Sequence, residues 1–138
     1  MLVRLVYASR ATAALTPAAF DEILASSRRN NPANGITGVL CTNGYVFLQM
    51  LEGGRKEVNE TYLRIARDPR HQDVQILHFE EIPSRKFAVW SMGKVSFDRV
   101  NAAILLKYSA KPTLDPYAVS GPISVALLED LMQTANVS

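Results

Sequence analysis

One cysteine in 138 residues leaves no internal disulfide to draw on. Cys41 stands inside an apolar run that reads as a strand, and a buried small hydrophobe outweighs a reactive thiol there. Together with His71 and His78 it lacks metal-ligand spacing, so no metal site is expected. Charge of one sign is equally scarce: fifteen basic against thirteen acidic residues leave +2, and the arginines are scattered rather than striped. That balance gives no footprint for nucleic acid. No apolar run approaches the ~18 residues of a membrane span, and Arg4 breaks the apolar start before a secretory core could form. A cytoplasmic chain without membrane association is the expectation. A nucleophile is missing too, since Cys41 is mid-strand and neither histidine has an evident partner.

What is present is an ordinary globular balance, 48% hydrophobic and 20% charged, enough for one domain with an appended helix or two. Residues 2–8 read as a strand, a central one. Thr16-Pro17 is a helix start, a hydroxyl cap followed by proline. Phe20, Ile23, Leu24 and Ser27 then share one face, and Asn30-Asn31-Pro32 stops the helix after Arg28-Arg29. Two extended runs, 36–42 and 45–51, flank Asn43-Gly44, a dipeptide suited to a type I′ hairpin turn. Gly53-Gly54 should break the second run. A helix follows over about 56–68, then strands over 74–82 and 87–97. Strand, helix, strand, strand, helix, strand and an extra strand predict an α+β ferredoxin-like sandwich: a mostly antiparallel five-stranded sheet with two helices on one face. Beyond Asp98 the pattern changes to a short helix near 100–108, a linker holding three prolines, and an apolar stripe of Leu127, Leu128, Leu131 and Met132. Docking on its own domain is the ordinary reading of that stripe, a partner surface the sharper one.

Some polar residues sit awkwardly in this plan. Alternation puts Tyr45, Phe47, Gln49 and Leu51 on one face of their strand and Val46, Leu48 and Met50 on the other. Both sets are apolar apart from Gln49, so its amide is expected to be buried, at a cost of about 1–3 kcal/mol for each unmet group. An edge position or a bound water is the ordinary answer. Tyr7, on the face of Val3 and Leu5, is ordinarily a core tyrosine, yet strand pairing would set it beside Gln49. Asn30 and Asn31 follow the Ile23 and Ser27 face, and Thr61, Arg64, Ile65 and Asp68 share a face of the second helix. Arg64 and Asp68 alone read as a solvated ion pair. Taken together, these groups favour a polar heteroaromatic ligand in the inter-helix groove, covered by Ile23 and Ile65.

The segments Ile36-Thr37-Gly38-Val39-Leu40, Asn43-Gly44 and Phe47-Leu48-Gln49-Met50-Leu51-Glu52-Gly53 resemble the hairpin of the BLUF family, sensors of blue light using flavin. The resemblance runs from Leu2 to about Val95 and takes in Tyr7, Asn31, Arg67-Asp68-Pro69-Arg70-His71 and Phe87-Ala88-Val89-Trp90-Ser91-Met92. It implies a flavin-binding unit over 1–97 with a helical extension over 98–138, and a bound FAD, with FMN or riboflavin as alternatives. By position it implies Tyr7 as electron donor, Gln49 as the bridge to the ring, and Asn31 with Asn30 at the ring's carbonyl and imide edge. Arg64 and Asp68 would line the ring and ribityl start, and Ile23, Ile65 and Phe47 would form apolar walls. Trp90 and Met92 would relay the signal. Met50, where relatives are often bulkier, points to the opposite face from Gln49 and should alter packing only. Glu52 and Gly53 read as structural.

The resemblance implies a photoreceptor, not an enzyme, whose output is a contact: its own homo-oligomer, a separate enzyme or a transcriptional regulator. Two rivals remain in the residues. One is an acylphosphatase-like small hydrolase using Arg10 and the Gly53-Gly54 helix entry. The other is a ligand-free oligomerisation module, which would have to satisfy Gln49 and Asn31 internally.

Overall fold

A computed structural model describes residues 1–88, 92–96, 102–113 and 115–134. In chain order the elements are β1 (Leu2–Ala11), α1 (Pro17–Asn30), β2 (Thr37–Thr42), β3 (Val46–Gly54), α2 (Arg55–Arg67), β4 (His71–Ile82), β5 (Gly93–Ser96), α3 (Ala102–Tyr108) and α4 (Gly121–Thr134). Short 3-10 turns lie at Pro32–Asn34 and Pro116–Ala118. The sheet order is β4-β1-β3-β2-β5, with β1 antiparallel to both neighbours, β2 antiparallel to β3, and β5 parallel to β2. This is the expected α+β ferredoxin-like sheet with β1 inside it.

Local chemistry explains the first helix. Thr16 Oγ1 accepts from the Ala19 amide at 3.1 Å, and Pro17 supplies a preset φ at the first position. Arg28 and Arg29 occupy the last turn, where cations suit the helix dipole. Strand alternation then divides the apolar residues between two cores. Val3, Leu5, Tyr7, Phe47 and Leu51 meet Phe20 and Leu24 of α1 and Val58 of α2. On the opposite face Val6, Val39, Cys41, Leu48, Met50 and Val95 meet Leu105 of α3 and Leu127, Leu128 and Leu131 of α4. Each fully buried leucine there contributes about 1.5–3 kcal/mol. The C-terminal apolar stripe therefore docks on its own sheet, and Met50 does face away from Gln49. Cys41 is fully buried, which pushes its thiol pKa well up.

A buried ion cluster ties the sheet together under the second core. Arg4, 4% exposed, donates from Nε to Glu52 Oε2 at 2.9 Å and pairs also with Glu80. The fully buried Glu52 accepts the amides of Lys86 at 2.9 Å and Phe87 at 3.0 Å. Its role is structural: it pins the chain leaving β4 beneath β3.

Three expectations need correction. The hairpin turn is not type I′: Thr42 pairs with Phe47, leaving four residues in the connection, and only Gly44 has positive φ. Asn43 instead caps the turn, its Oδ1 accepting from Tyr45 N at 2.9 Å and Val46 N at 3.0 Å. Gly53 and Gly54 do not break β3; they remain paired with Val3 and Leu2, and Gly54 leads straight into α2. The fifth strand is shorter than expected: Phe87 and Ala88 are outside it, and it spans Gly93–Ser96. Trp90 lies outside the described residues.

Candidate functional site

The register of β1 against β3 places Tyr7 directly opposite Gln49. Both are buried, and the Tyr7 hydroxyl donates to Gln49 Oε1. Gln49 Nε2 in turn donates to Met92 Sδ at 3.2 Å. Burial, then the nearby Tyr62 and Asp68, holds the Tyr7 phenol well above the ordinary tyrosine range, so it keeps its proton. The Tyr62 ring packs edge-on against Tyr7 with centroids 5.8 Å apart.

Above this pair lies a cavity of about 150 Å³. Tyr7, Leu40 and Gln49 form its floor; Ile23, Ser26, Ser27 and Asn30 of α1 line one wall, and Thr61, Arg64 and Ile65 of α2 the other. Asn31, 3% exposed, closes one side. A second groove of about 360 Å³ adjoins it through Thr61 and Arg64 and runs along α2 between Asn34 and Arg67. The two together offer a floor of one amide and one phenol, walls that set one isoleucine each among polar side chains, and a polar exit.

Asp68, Arg70 and His71 complete the cavity. Proline at 69 holds Asp68 extended at φ −69 and ψ 125, ending α2 at Arg67. The ion pair expected between Arg64 and Asp68 is therefore not made. Asp68 turns to Arg70, accepting from its Nη2 at 2.5 Å and its backbone amide at 2.9 Å. The Arg70 bond is the main reason the Asp68 pKa is depressed. His71 Nδ1 lies 2.8 Å from the buried Ser9 hydroxyl, and its ring packs on Phe47 at 4.6 Å between centroids. Burial lowers the His71 pKa, with Asp68 opposing and Arg70 assisting.

Of the expected residues, Tyr7, Ile23, Asn30, Asn31, Gln49, Arg64, Ile65 and Asp68 all line the one cavity. Phe47 does not; it sits in the core behind His71. Met92 is buried against Gln49, while Trp90 falls outside the described residues. Ser27 and Thr61, on the two helix faces expected to border the groove, line it as well, and Ser26, Leu40, Arg70 and His71 join them without a ligand role expected from sequence. The Asp68-Pro69-Arg70 turn was the available signal, because an aspartate before proline faces the second residue after it. His71, thought to lack a partner, has Ser9. Arg10 does not form an anion cradle: its guanidinium lies over Tyr117, 4.5 Å from the ring centroid, and 3.5 Å from Asp73.

The family model described as "Sensors of blue-light using FAD" (BLUF) matches residues 2–93. A photoactivated adenylate cyclase subunit beta from Euglena gracilis is 35% identical over 92 residues, which is 66% of this chain and 11% of that protein. The blue light- and temperature-regulated antirepressor BluF of Escherichia coli is 33% identical over 87 residues, 63% of this chain and 22% of that protein. The chain thus spans less than a quarter of these curated relatives' lengths. Among solved structures, the dark state of BlrB, a BLUF protein, superposes with TM-score 0.80 at 36% identity, covering 98% of this chain and 97% of that one. The photo-activated state of BlsA gives TM-score 0.86 at 30% identity, covering 100% and 99%.

Proposed function

The chain belongs to the BLUF family, the blue-light sensors using FAD, and from that premise we propose a division of labour among its residues. It is a blue-light photoreceptor that binds flavin. The donor set suits that ligand: a tricyclic ring with a carbonyl and imide edge needs amide partners, and the cavity presents Gln49, Asn30 and Asn31. The first cavity alone is small for such a ligand, and the adjoining groove along α2 gives the ribityl chain its way out. Asn31 and Asn30 hold the carbonyl and imide edge. Ile23 and Ile65 cover the ring faces, while Arg64 and Asp68 line the ring and the ribityl start. Arg70 and His71 join this set, with Phe47 supporting His71 from behind. FAD is the expected species, FMN and riboflavin sharing the same ring.

When bound, the flavin supplies blue-light absorption and, in its excited state, an acceptor for one electron. Tyr7 is the donor. Loss of an electron makes a phenol strongly acidic, and the Tyr7 proton has a path already in place to Gln49 Oε1. The electron and the proton then return to Tyr7, leaving no net redox change but Gln49 rotated or tautomerised, with its donor and acceptor sides exchanged. Its Nε2 bond to Met92 Sδ, a thioether that can only accept, is thereby released, so Met92, with Trp90, carries the change outward. The Tyr7–Gln49–Met92 chain of hydrogen bonds is the observation that carries this reading.

The output is a protein contact, not catalysis by this chain. Residues 98–138 form an extension on the flavin-binding unit of 1–97. Ile76 and Phe79, about half exposed on the edge strand β4, favour a homo-oligomer among the possible contacts. Among the described residues no helix is long and apolar enough to cross a membrane; a cytoplasmic site of action is proposed. The deciding experiment is an absorption spectrum in the dark, after blue light and after recovery, on the parent and Gln49→Leu. The parent should show a small reversible red shift and the variant a flavin spectrum without it. A normal shift in Gln49→Leu would overturn the assignment.

A further inference from the structure

Met92 is held twice. Its sulfur takes the Gln49 Nε2 hydrogen at 3.2 Å, and its backbone carbonyl takes the Arg28 Nε hydrogen at 3.1 Å. The two holds differ in kind. The thioether is a weak acceptor, and its donor belongs to the amide whose pattern light exchanges. The Arg28 bond is charge-assisted and to a carbonyl, the stronger class, and no step of the light reaction alters it. Met92 also immediately precedes β5, the edge strand, which among the described residues pairs with β2 alone. Whatever fixes its carbonyl fixes the entry into that strand.

We propose that Arg28 is a positioning residue of the photoswitch: it keeps the Met92 backbone in place when Gln49 lets the side chain go. The inference rests on the Tyr7–Gln49 reading above. Its physical content is a division between a released side chain and a retained backbone. With Arg28 in place, Met92 returns to Gln49 from close by and the dark state re-forms quickly. Without it, the entry to β5 moves away during the lit state and must be re-found. Arg28 thereby sets how long the signal lasts and how far it spreads along β5. It stands on the exposed side of α1, belongs to neither core and is not among the residues lining the flavin cavity.

The test uses the flavin-loaded full chain with Arg28→Met, which keeps an apolar stem but no donor, and Arg28→Lys, which restores a cationic donor. Both should retain the dark spectrum and the red shift. Arg28→Met should recover about tenfold more slowly, equivalent to about 1.4 kcal/mol, and Arg28→Lys should lie nearer the parent. Under continuous illumination the amides of Gly93–Ser96 should exchange faster in Arg28→Met than in the parent. A merely structural helix residue would leave both readings unmoved once the flavin is bound. Recovery of Arg28→Met within twofold of the parent, with the red shift retained, overturns the proposal. Gln49→Leu run alongside separates the two readings: a red shift persisting there is failure of the Gln49 assignment, not of Arg28. Should Arg28→Met lose flavin, Arg28→Lys against Arg28→Gln, which keeps a neutral donor, decides by the same recovery ratio.

Discussion

At the residue scale, the proposed light reaction requires the Tyr7 phenol to keep its proton until an electron leaves, and its burial favours that. Tyr7→Phe removes the hydroxyl that donates to Gln49 but leaves the ring against Tyr62. It should bind flavin normally and show no red shift; a shift of parental size would exclude Tyr7 as donor. His71 gives a pH prediction. Burial depresses its pKa, so the folded chain resists a proton that the unfolded chain accepts at about 6.5. The unfolded state then binds more protons, and stability falls as pH drops below that value until the folded histidine also titrates. Asp68 has a depressed pKa as well, but its contribution is lost only in the lower, carboxylate range. Between about pH 7 and 5.5, therefore, the melting temperature of His71→Gln should decline less than the parent's. Equal declines would remove His71 as the cause. Tyr7 and Gln49 were legible because alternation and strand pairing fix which side chains meet. Arg70 was not, because its placement depends on Pro69 ending the helix one residue before Asp68 could pair with Arg64.

At the element scale, periodicity and capping chemistry announced α1, α2 and the hairpin, whereas details set by tertiary contact stayed hidden. Asn43-Gly44 carried a turn signal, yet the strands continue their pairing only from Thr42 and Phe47, so a wider turn forms. Gly53-Gly54 looked like a break, but Gly53 lies close to the Gly35 carbonyl and Ile36, where a small residue lets the strand continue under α2. The start of α4 shows the same need for closeness. A Cβ on Gly121 would stand 2.2 Å from the Leu77 carbonyl oxygen and 3.0 Å from His78. Since backbone cannot yield cheaply, Gly121→Ala should push α4 off β4 and cost about 1–3 kcal/mol. Thermal melting would read the loss. A variant as stable as the parent would mean that α4 can shift without losing its packing.

At the scale of the whole molecule, one sheet serves two cores, and the same strands supply both. Tyr7 and Gln49 face the helices α1 and α2, while their neighbours Val6, Leu48 and Met50 face α4. Sequence showed where the family pattern ends, near Val95, and that boundary suggests an extension simply added to a finished unit. Packing argues for closer dependence. Leu127, Leu128 and Leu131 are fully buried, and without them Val39, Leu48 and Met50 would face water. With a total stability of about 5–15 kcal/mol expected for a domain, neither core can spare the other. Leu128→Ala should cost about 2–5 kcal/mol although it lies across the sheet from the flavin cavity. Followed by far-UV circular dichroism and by flavin absorbance, its melting should show one coincident transition, lowered for both probes. If the helical signal fell first and the flavin signal kept the parental midpoint, residues 98–138 would be a separable attachment. Light would then have to reach them through contacts such as that between Lys86 and Glu129 rather than through the shared sheet.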